Sequence, residues 1–509
     1  MIISLSVLVI TIIVSGTYAL YKAQLSKNIG VNTTTHGLAY YINYVKGTDI
    51  TAATLNPSTS YEGGASSDIE FWKKDDSYDI YGKIDLTVNT IGTNLSNSPA
   101  LKYAVVNNGN VLKEGSLKGT TSGSKVTILK NLYLEQTKQI YTVYVWLDNS
   151  EELGNISNES LSISVDCTAS LQKEPAADTI ISLYTSAAKV TATNNSITYN
   201  TAPSVSLMND RLGGTTTDLD GGNIRYYGAN PNNYIYFNCS DYSNQTSSTC
   251  ETWRIIGVFD GKLKLIKGSQ IGTYSWDNKN ISTGAEDDRG KNDWTTARLM
   301  KLLNPDDYYI NDNNDKDSEG NYLGYSLYYN SASGMCFTDE GVNYSACDFT
   351  STGIKNDETR NMIAETTYNL GGWNDTGVYP NEIYEYERGT TVYTGRPTTW
   401  TGKIALAYPS DYGYAADLNQ CKQTLANYDN STCTSNNWMK AIITDNGSNH
   451  GWLLTPDSSY SYVAWYSQGN VGEYFTGAAR GAVPVLSLSS KLGIESGDGS
   501  SSNPYKLSA

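Results

Sequence analysis

Histidine is nearly missing from this sequence: His36 and His450 are the only two in 509 residues. Two imidazoles cannot supply the three-histidine face of a mononuclear iron site. A serine-histidine-aspartate arrangement would rest on His450, whose polar setting, Asn446-Gly447-Ser448-Asn449-His450, reads as surface rather than as a catalytic pocket. Basic residues are also scarce, 36 Lys and Arg against 52 Asp and Glu, a net charge of −16. Nucleic acid and anionic lipid both demand a positive surface, so neither is expected as the main partner. No C-x-x-C pair occurs, which sets structural zinc aside. No repeat of solenoid period is visible either.

What is present begins with an apolar run, Met-Ile-Ile-Ser-Leu-Ser-Val-Leu-Val-Ile-Thr-Ile-Ile-Val, followed by the small residues Ser15, Gly16, Thr17 and Ala19. Residues 1–20 are therefore expected to be an export signal, either cleaved at the small-x-small pair Thr17 and Ala19 or kept as a membrane anchor. In both cases the rest of the chain lies outside the membrane, secreted or at the cell surface. Six of the seven cysteines fall into close pairs that suit disulfides across short loops in an oxidising compartment: Cys239 with Cys250, Cys336 with Cys347 and Cys421 with Cys433. Cys167 is left over, with a structural meaning only.

Tyrosine is abundant, 41 residues beside plentiful Ser, Asn, Gly and Thr. Rigid amphipathic rings with adaptable hydrogen-bonding neighbours make up antibody-type binding surfaces. Strand-rich exported proteins also carry many Tyr and Thr, and composition alone leaves both readings open.

Residues 34–168 read as an all-β sandwich of immunoglobulin-like size, with strand-like runs at Leu101 to Val106 and Ile140 to Leu147. Asn108-Gly109 supplies the positive φ angles of a type I′ hairpin turn. Residues 169–200 read as a linker with a short helix-like piece, Asp178 to Ala188. Residues 201–509 read as one large α+β domain. In it Asp260-Gly261 predicts a second hairpin between Trp253 to Phe259 and Lys262 to Ile266. One helix is predicted from Asp293, as cap, through Met300 and Leu303 to Asn304-Pro305. Another is predicted from Asp357 to Leu370, closed by Gly371.

Gly16-Thr17-Tyr18-Ala19, Gly-Thr-Asp-Ile (47–50) and Tyr-Thr-Val-Tyr-Val-Trp-Leu-Asp (141–148) resemble the camelysin and biofilm-matrix-fibre family of Gram-positive bacteria, over about the first third of the chain. The resemblance implies an exported sandwich that presents other domains or self-assembles into fibres. Four further runs, Cys-Glu-Thr-Trp-Arg-Ile-Ile-Gly-Val-Phe-Asp-Gly-Lys (250–262), Asp-Trp-Thr-Thr-Ala-Arg-Leu-Met-Lys-Leu-Leu-Asn (293–304), Gly-Trp-Leu-Leu-Thr-Pro (451–456) and Gly-Ala-Val-Pro-Val-Leu-Ser-Leu (481–488), are similar to exported gut Firmicutes proteins. The C-terminal domain of those proteins resembles the formylglycine-generating-enzyme branch of the C-type lectin fold, which includes the variable proteins of diversity-generating retroelements. The family's usual arginines are replaced here by Leu454-Thr455 and Val483, with Arg480 standing nearby. Formylglycine generation needs two copper-binding cysteines, and the cysteines here fit local disulfides better.

The expected ligand face lies between Trp452 and Val483, where aromatics interleave with Ser and Asn so that alternate side chains on short strands share one face. Its expected contact residues are Tyr460, Tyr462, Tyr466, Ser467, Asn470 and Tyr474, with Trp452 and Trp465 assigned to the core. Asn, Ser, Tyr and Asp codons there are reachable by adenine-directed diversification. The acidic run Asp312 to Gly320 has calcium-loop spacing at Asp315, Asp317 and Glu319 but lacks the closing glutamate, so a solvated loop is preferred and no cofactor is expected. The function expected is a non-enzymatic adhesin or receptor for an extracellular glycan or protein. The alternatives are a structural subunit of a matrix fibre and an enzyme of the formylglycine-generating class.

Overall fold

The computed structural model describes residues 23–24, 41–51, 55, 57–156, 159–211, 222–277, 289–305, 327–329, 332–337, 344–447 and 449–508. The chain divides into two compact units, Met1–Glu174 and Pro175–Ala509. Residues 1–20, where an export signal is expected, His36 and the acidic run at 312–320 lie outside the described residues. Among the described residues no helix is long and apolar enough to cross a membrane.

The first unit holds two sheets, of five and six strands. Strands Ala65–Lys73 (β1) and Tyr81–Ile91 (β2) belong to different sheets, as do Leu101–Asn107 (β3) and Lys125–Tyr133 (β4), and Ile140–Asp148 (β5) and Leu161–Ser170 (β6). In β1 alternate residues turn inward, including Ile69 and Phe71, as the period of two requires. Their side chains join Val105, Val143 and Val145 of the same sheet and Ile84, Leu86 and Val165 of the other in one core. This is a β-sandwich. The turn at Asn108 and Gly109 has φ of 49° and 78°, as the sequence predicts. Cys167 is a free, buried thiol whose ionisation burial opposes.

The second unit begins inside the stretch read as a linker, which the structure corrects. Ala176–Ser186 (α1) buries Ala176, Ala177, Ile180 and Tyr184 in the core of this unit, a helical spacing that a free linker would not carry. The polar Thr/Asn stretch forms the hairpin Val190–Asn194 (β7) and Ile197–Ala202 (β8), turned by Asn195 and Ser196 at φ of 43° and 62°. These strands open a nine-stranded sheet that includes Ile224–Tyr226 (β9), Glu251–Phe259 (β10) and Lys262–Lys267 (β11). Between β10 and β11 the predicted Asp260-Gly261 turn is in place.

Both predicted helices of this unit are shorter than expected. The first is Arg298–Leu303 (α2); Asp293 instead closes an Asx turn on the Thr295 backbone, and Asp277 accepts the Arg298 N–H at 3.1 Å. The second is Asp357–Met362 (α3), capped by the Asn356 side chain, and the chain then extends as the strand Thr366–Asn369. Gly371 caps nothing, because the helix ends well before it.

Many of the tyrosines are core residues. With only six Phe in the chain, Tyr199, Tyr412, Tyr414 and Tyr428 fill the interior and hydrogen-bond their hydroxyls. Tyr412 donates to the Gly469 carbonyl at 2.6 Å, Tyr428 to that of Gly413 at 3.1 Å, and Tyr199 and Tyr414 share a bond of 3.3 Å. A buried ion network ties the large sheet to Pro409–Tyr414 (α4). Arg225 of β9 donates to Asp210 at 2.6 Å and to Asp411 at 3.0 Å, while Lys264 of β11 meets the other Asp411 oxygen.

Candidate functional site

The residues of interest lie on a second, five-stranded sheet of this unit: Thr273–Ser275 (β12), Gly451–Pro456 (β13), Val463–Ser467 (β14), Val471–Phe475 (β15) and Ala479–Gly481 (β16). Their order across the sheet is β12, β16, β13, β14, β15. Strand parity sorts the side chains of the β14–β15 hairpin. Trp465, fully buried, is opposite Glu473, and Ser467 is opposite Val471. Tyr466 and Tyr474 have the other parity and face away from that core layer.

Round the edge strand β15 the rings of the two faces form a continuous cluster, Phe475 having the parity of Trp465. Tyr460 lies 5.9 Å from Tyr462, Tyr462 5.6 Å from Phe475, Phe475 5.2 Å from Tyr474, and Tyr474 6.4 Å from Tyr466, centroid to centroid. His450 stacks on Tyr466 at 5.4 Å. Two guanidinium groups complete the face: Arg289 stands 3.8 Å from the Tyr462 ring, and Arg480 stands 3.9 Å from Tyr466 and 4.4 Å from Tyr474. Trp452, fully buried, lies 5.5 Å from Arg480 and anchors its indole N–H on the Tyr274 carbonyl at 2.8 Å. Gly472 has no side chain to obstruct the Tyr466 ring; a Cβ there would stand 3.1 Å from it.

The loop that carries Tyr460 and Tyr462 is held from beneath. Asp457, fully buried, accepts the backbone N–H groups of Ser459 and Tyr460. Asn292, 1 % exposed, donates to the carbonyls of Asp457, Tyr460 and Val463 at 2.8, 2.7 and 3.0 Å. Its own oxygen accepts from Arg396 Nε at 3.0 Å, and Arg396 also donates to the Ser461 carbonyl at 3.0 Å. Such a bonded frame fixes a loop before any ligand arrives. Burial, reinforced by neighbouring Asp457, raises the Glu473 carboxyl to about 8.

Four of the six expected contact residues, Tyr460, Tyr462, Tyr466 and Tyr474, are thus in one cluster. The other two are corrected. Ser467 is fully buried, since it shares parity with Trp465. Asn470 is half-buried and its amide donates to the Ala426 carbonyl at 3.1 Å, which fits a structural role in the turn. Trp452 and Trp465 are core, as expected. His450, expected at the surface, is exposed there and also accepts a hydrogen bond at Nδ1 from Arg480; partial desolvation and that cation hold it below its ordinary pKa. Sequence reasoning missed Arg289, Asn292 and Arg396, which come from distant segments and carry no local signal.

Cys239–Cys250 and Cys421–Cys433 are disulfides, the pairing expected in an oxidising environment. Cys336 and Cys347 lie on the two strands of one hairpin, with side chains outside the described set. Among the described residues no group of three or more His, Cys, Asp or Glu is placed to hold a metal ion.

No protein-family model matches the chain, and no curated protein matches it. Among solved structures, a crystal structure of an HCR/D mutant is similar at 13% identity, over 50% of this chain and 86% of that one. Its TM-score of 0.16 is too low to bear on the fold.

Proposed function

We propose that this protein is an exported surface adhesin or receptor. In this reading the second unit is a C-type-lectin-like domain of the formylglycine-generating-enzyme branch, and it binds an extracellular glycan or protein through the face of Tyr460, Tyr462, Tyr466 and Tyr474. The observation that carries the reading is where exposed aromatic surface stands. In the second unit the large apolar side chains described as exposed are Val190, Ile197, Tyr460 and Tyr474, and both aromatic ones belong to this cluster. The other described tyrosines of this unit are buried or part-buried. Rings held in solvent on a braced loop and hairpin have the character of binding anchors, because their ordering cost is met before binding.

The cysteines favour binding over formylglycine generation. Four of the six clustered sulfurs are tied in disulfides and so are not thiolates for copper. The sandwich of the first unit then serves to present the binding domain.

The test is binding of the full chain to an array of glycans and surface proteins, beside a variant with Tyr460, Tyr462 and Tyr474 changed to Ala. Binding that the triple change abolishes, with the near-ultraviolet spectrum intact, supports a receptor and locates its face. Binding indifferent to those changes, or none on the array, would turn attention to the fibre role.

A further inference from the structure

Arg480 is 9 % exposed, and among the described residues no carboxylate pairs with it. One nitrogen, Nη1, donates to His450 Nδ1, while Nε is shielded from solvent without an acceptor. A cation withdrawn from water ordinarily finds a counter-charge. Here its neighbours are the faces of Tyr466 and Tyr474 and, farther off, Trp452, which offer cation–π attraction but no acceptor for the Nε hydrogen. This contrasts with Arg225 of the same unit, which is tied to Asp210 and Asp411. The bond to His450 occupies one side of the guanidinium. It leaves the Nε–Nη2 edge, the side that grips a carboxylate through two parallel bonds, without a protein partner.

We infer that Arg480 receives the carboxylate of an acidic saccharide, with Tyr474, Tyr466 and His450 forming aromatic walls for the sugar ring. The inference rests on the receptor reading above and names the class of ligand. Sugar is favoured over peptide because the exposed rings beside the cation, Tyr474 and His450, offer the flat apolar contact that a pyranose takes. Tyr474, 42 % exposed, lies 4.4 Å from the guanidinium, and on this inference the ligand displaces its ring to reach Nε. In a chain of net charge −16 two guanidinium groups beside one aromatic cluster, Arg289 and Arg480, are also a local exception that favours an anion over the bulk repulsion.

Calorimetric titration of the full chain with oligogalacturonate, dextran sulfate, neutral dextran and polyglutamate tests the inference. Oligogalacturonate is expected to bind, with affinity falling roughly 10- to 100-fold in Arg480→Gln and nearly as far in Arg480→Lys, which keeps the charge but not the fork. Because Arg480 is buried, the wild-type Arg480 Nε–H resonance is followed in parallel and is expected to shift on titration whether or not the variants fold. An unmoved resonance overturns the inference, as does unchanged affinity in folded Arg480→Gln. Preference for dextran sulfate overturns the carboxylate, and preference for polyglutamate overturns the sugar. Binding of neutral array glycans that depends on Tyr460 and Tyr462 but not on Arg480 would overturn this inference while leaving the receptor reading intact.

Discussion

Asn292 donates its side-chain amide to the backbone carbonyl of Tyr460 at 2.7 Å, from a position 168 residues earlier in the chain. The same amide holds the carbonyls of Asp457 and Val463, so one buried residue spans both ends of the loop. Replacing it by Ala leaves the carbonyls of Asp457 and Tyr460 without this donor, while that of Val463 keeps the Asp457 backbone N–H at 3.0 Å, at a cost of about 1–3 kcal/mol in local stability. Hydrogen exchange across 457–463 should rise in Asn292→Ala, and ligand affinity should fall with it. Unchanged protection there would mean that Asp457 and Arg396 suffice to hold the loop.

Gly472 should tolerate no side chain without loss of function. A Cβ would stand 3.1 Å from the Tyr466 ring, which must then give by a few tenths of an ångström in its place against Arg480, and the branched side chain of Val presses it further. Gly472→Val is expected to reduce affinity about tenfold while the core packing around Trp465 is retained. Comparing binding with thermal unfolding separates the two effects.

Glu473 predicts a pH dependence. Its carboxyl is raised from 4.5 to about 8 by burial and by Asp457 and Asp375. The folded protein therefore holds a proton that the unfolded chain releases, and the resulting stability is fully present below pH 4.5 and lost as pH rises through about 8. Above that pH two negative charges meet beneath the Tyr460 loop. Unfolding midpoints measured from pH 6 to pH 9 should fall for the wild type on this account, and Glu473→Gln should flatten the profile.

Asp411 is shared by Arg225 and Lys264 and also accepts the Tyr408 backbone N–H at 3.1 Å. Asp411→Asn leaves two buried cations with reduced compensation, and the second unit is expected to lose about 3–5 kcal/mol. Urea unfolding should show the loss in that unit, with the sandwich transition unmoved.

Removing the Cys421–Cys433 bridge by a double Ser substitution opens a loop closed over a separation of 12 residues. The chain-entropy cost is about 3 kcal/mol. Guanidinium unfolding of the variant checks it.

The sequence by itself determined what local geometry governs. Asn108-Gly109 and Asp260-Gly261 make their turns because few other residues adopt positive φ without strain. The aromatic hairpin was legible from alternation, and so was the error in it: once Trp465 is inside, Ser467 must follow, because side chains repeat every two residues. The helix Ala176–Ser186 was also visible, but whether its apolar stripe is a linker's ornament or part of a core depends on what packs against it. Tertiary structure alone decided which of the 41 tyrosines are inside, since the residue suits both environments and only the supply of hydroxyl acceptors distinguishes them. It alone also joined Arg480, His450 and Tyr466. Their meeting follows from the order in which β16, β13 and β14 lie in the sheet, and strand order is set by long-range packing that no short stretch of sequence encodes.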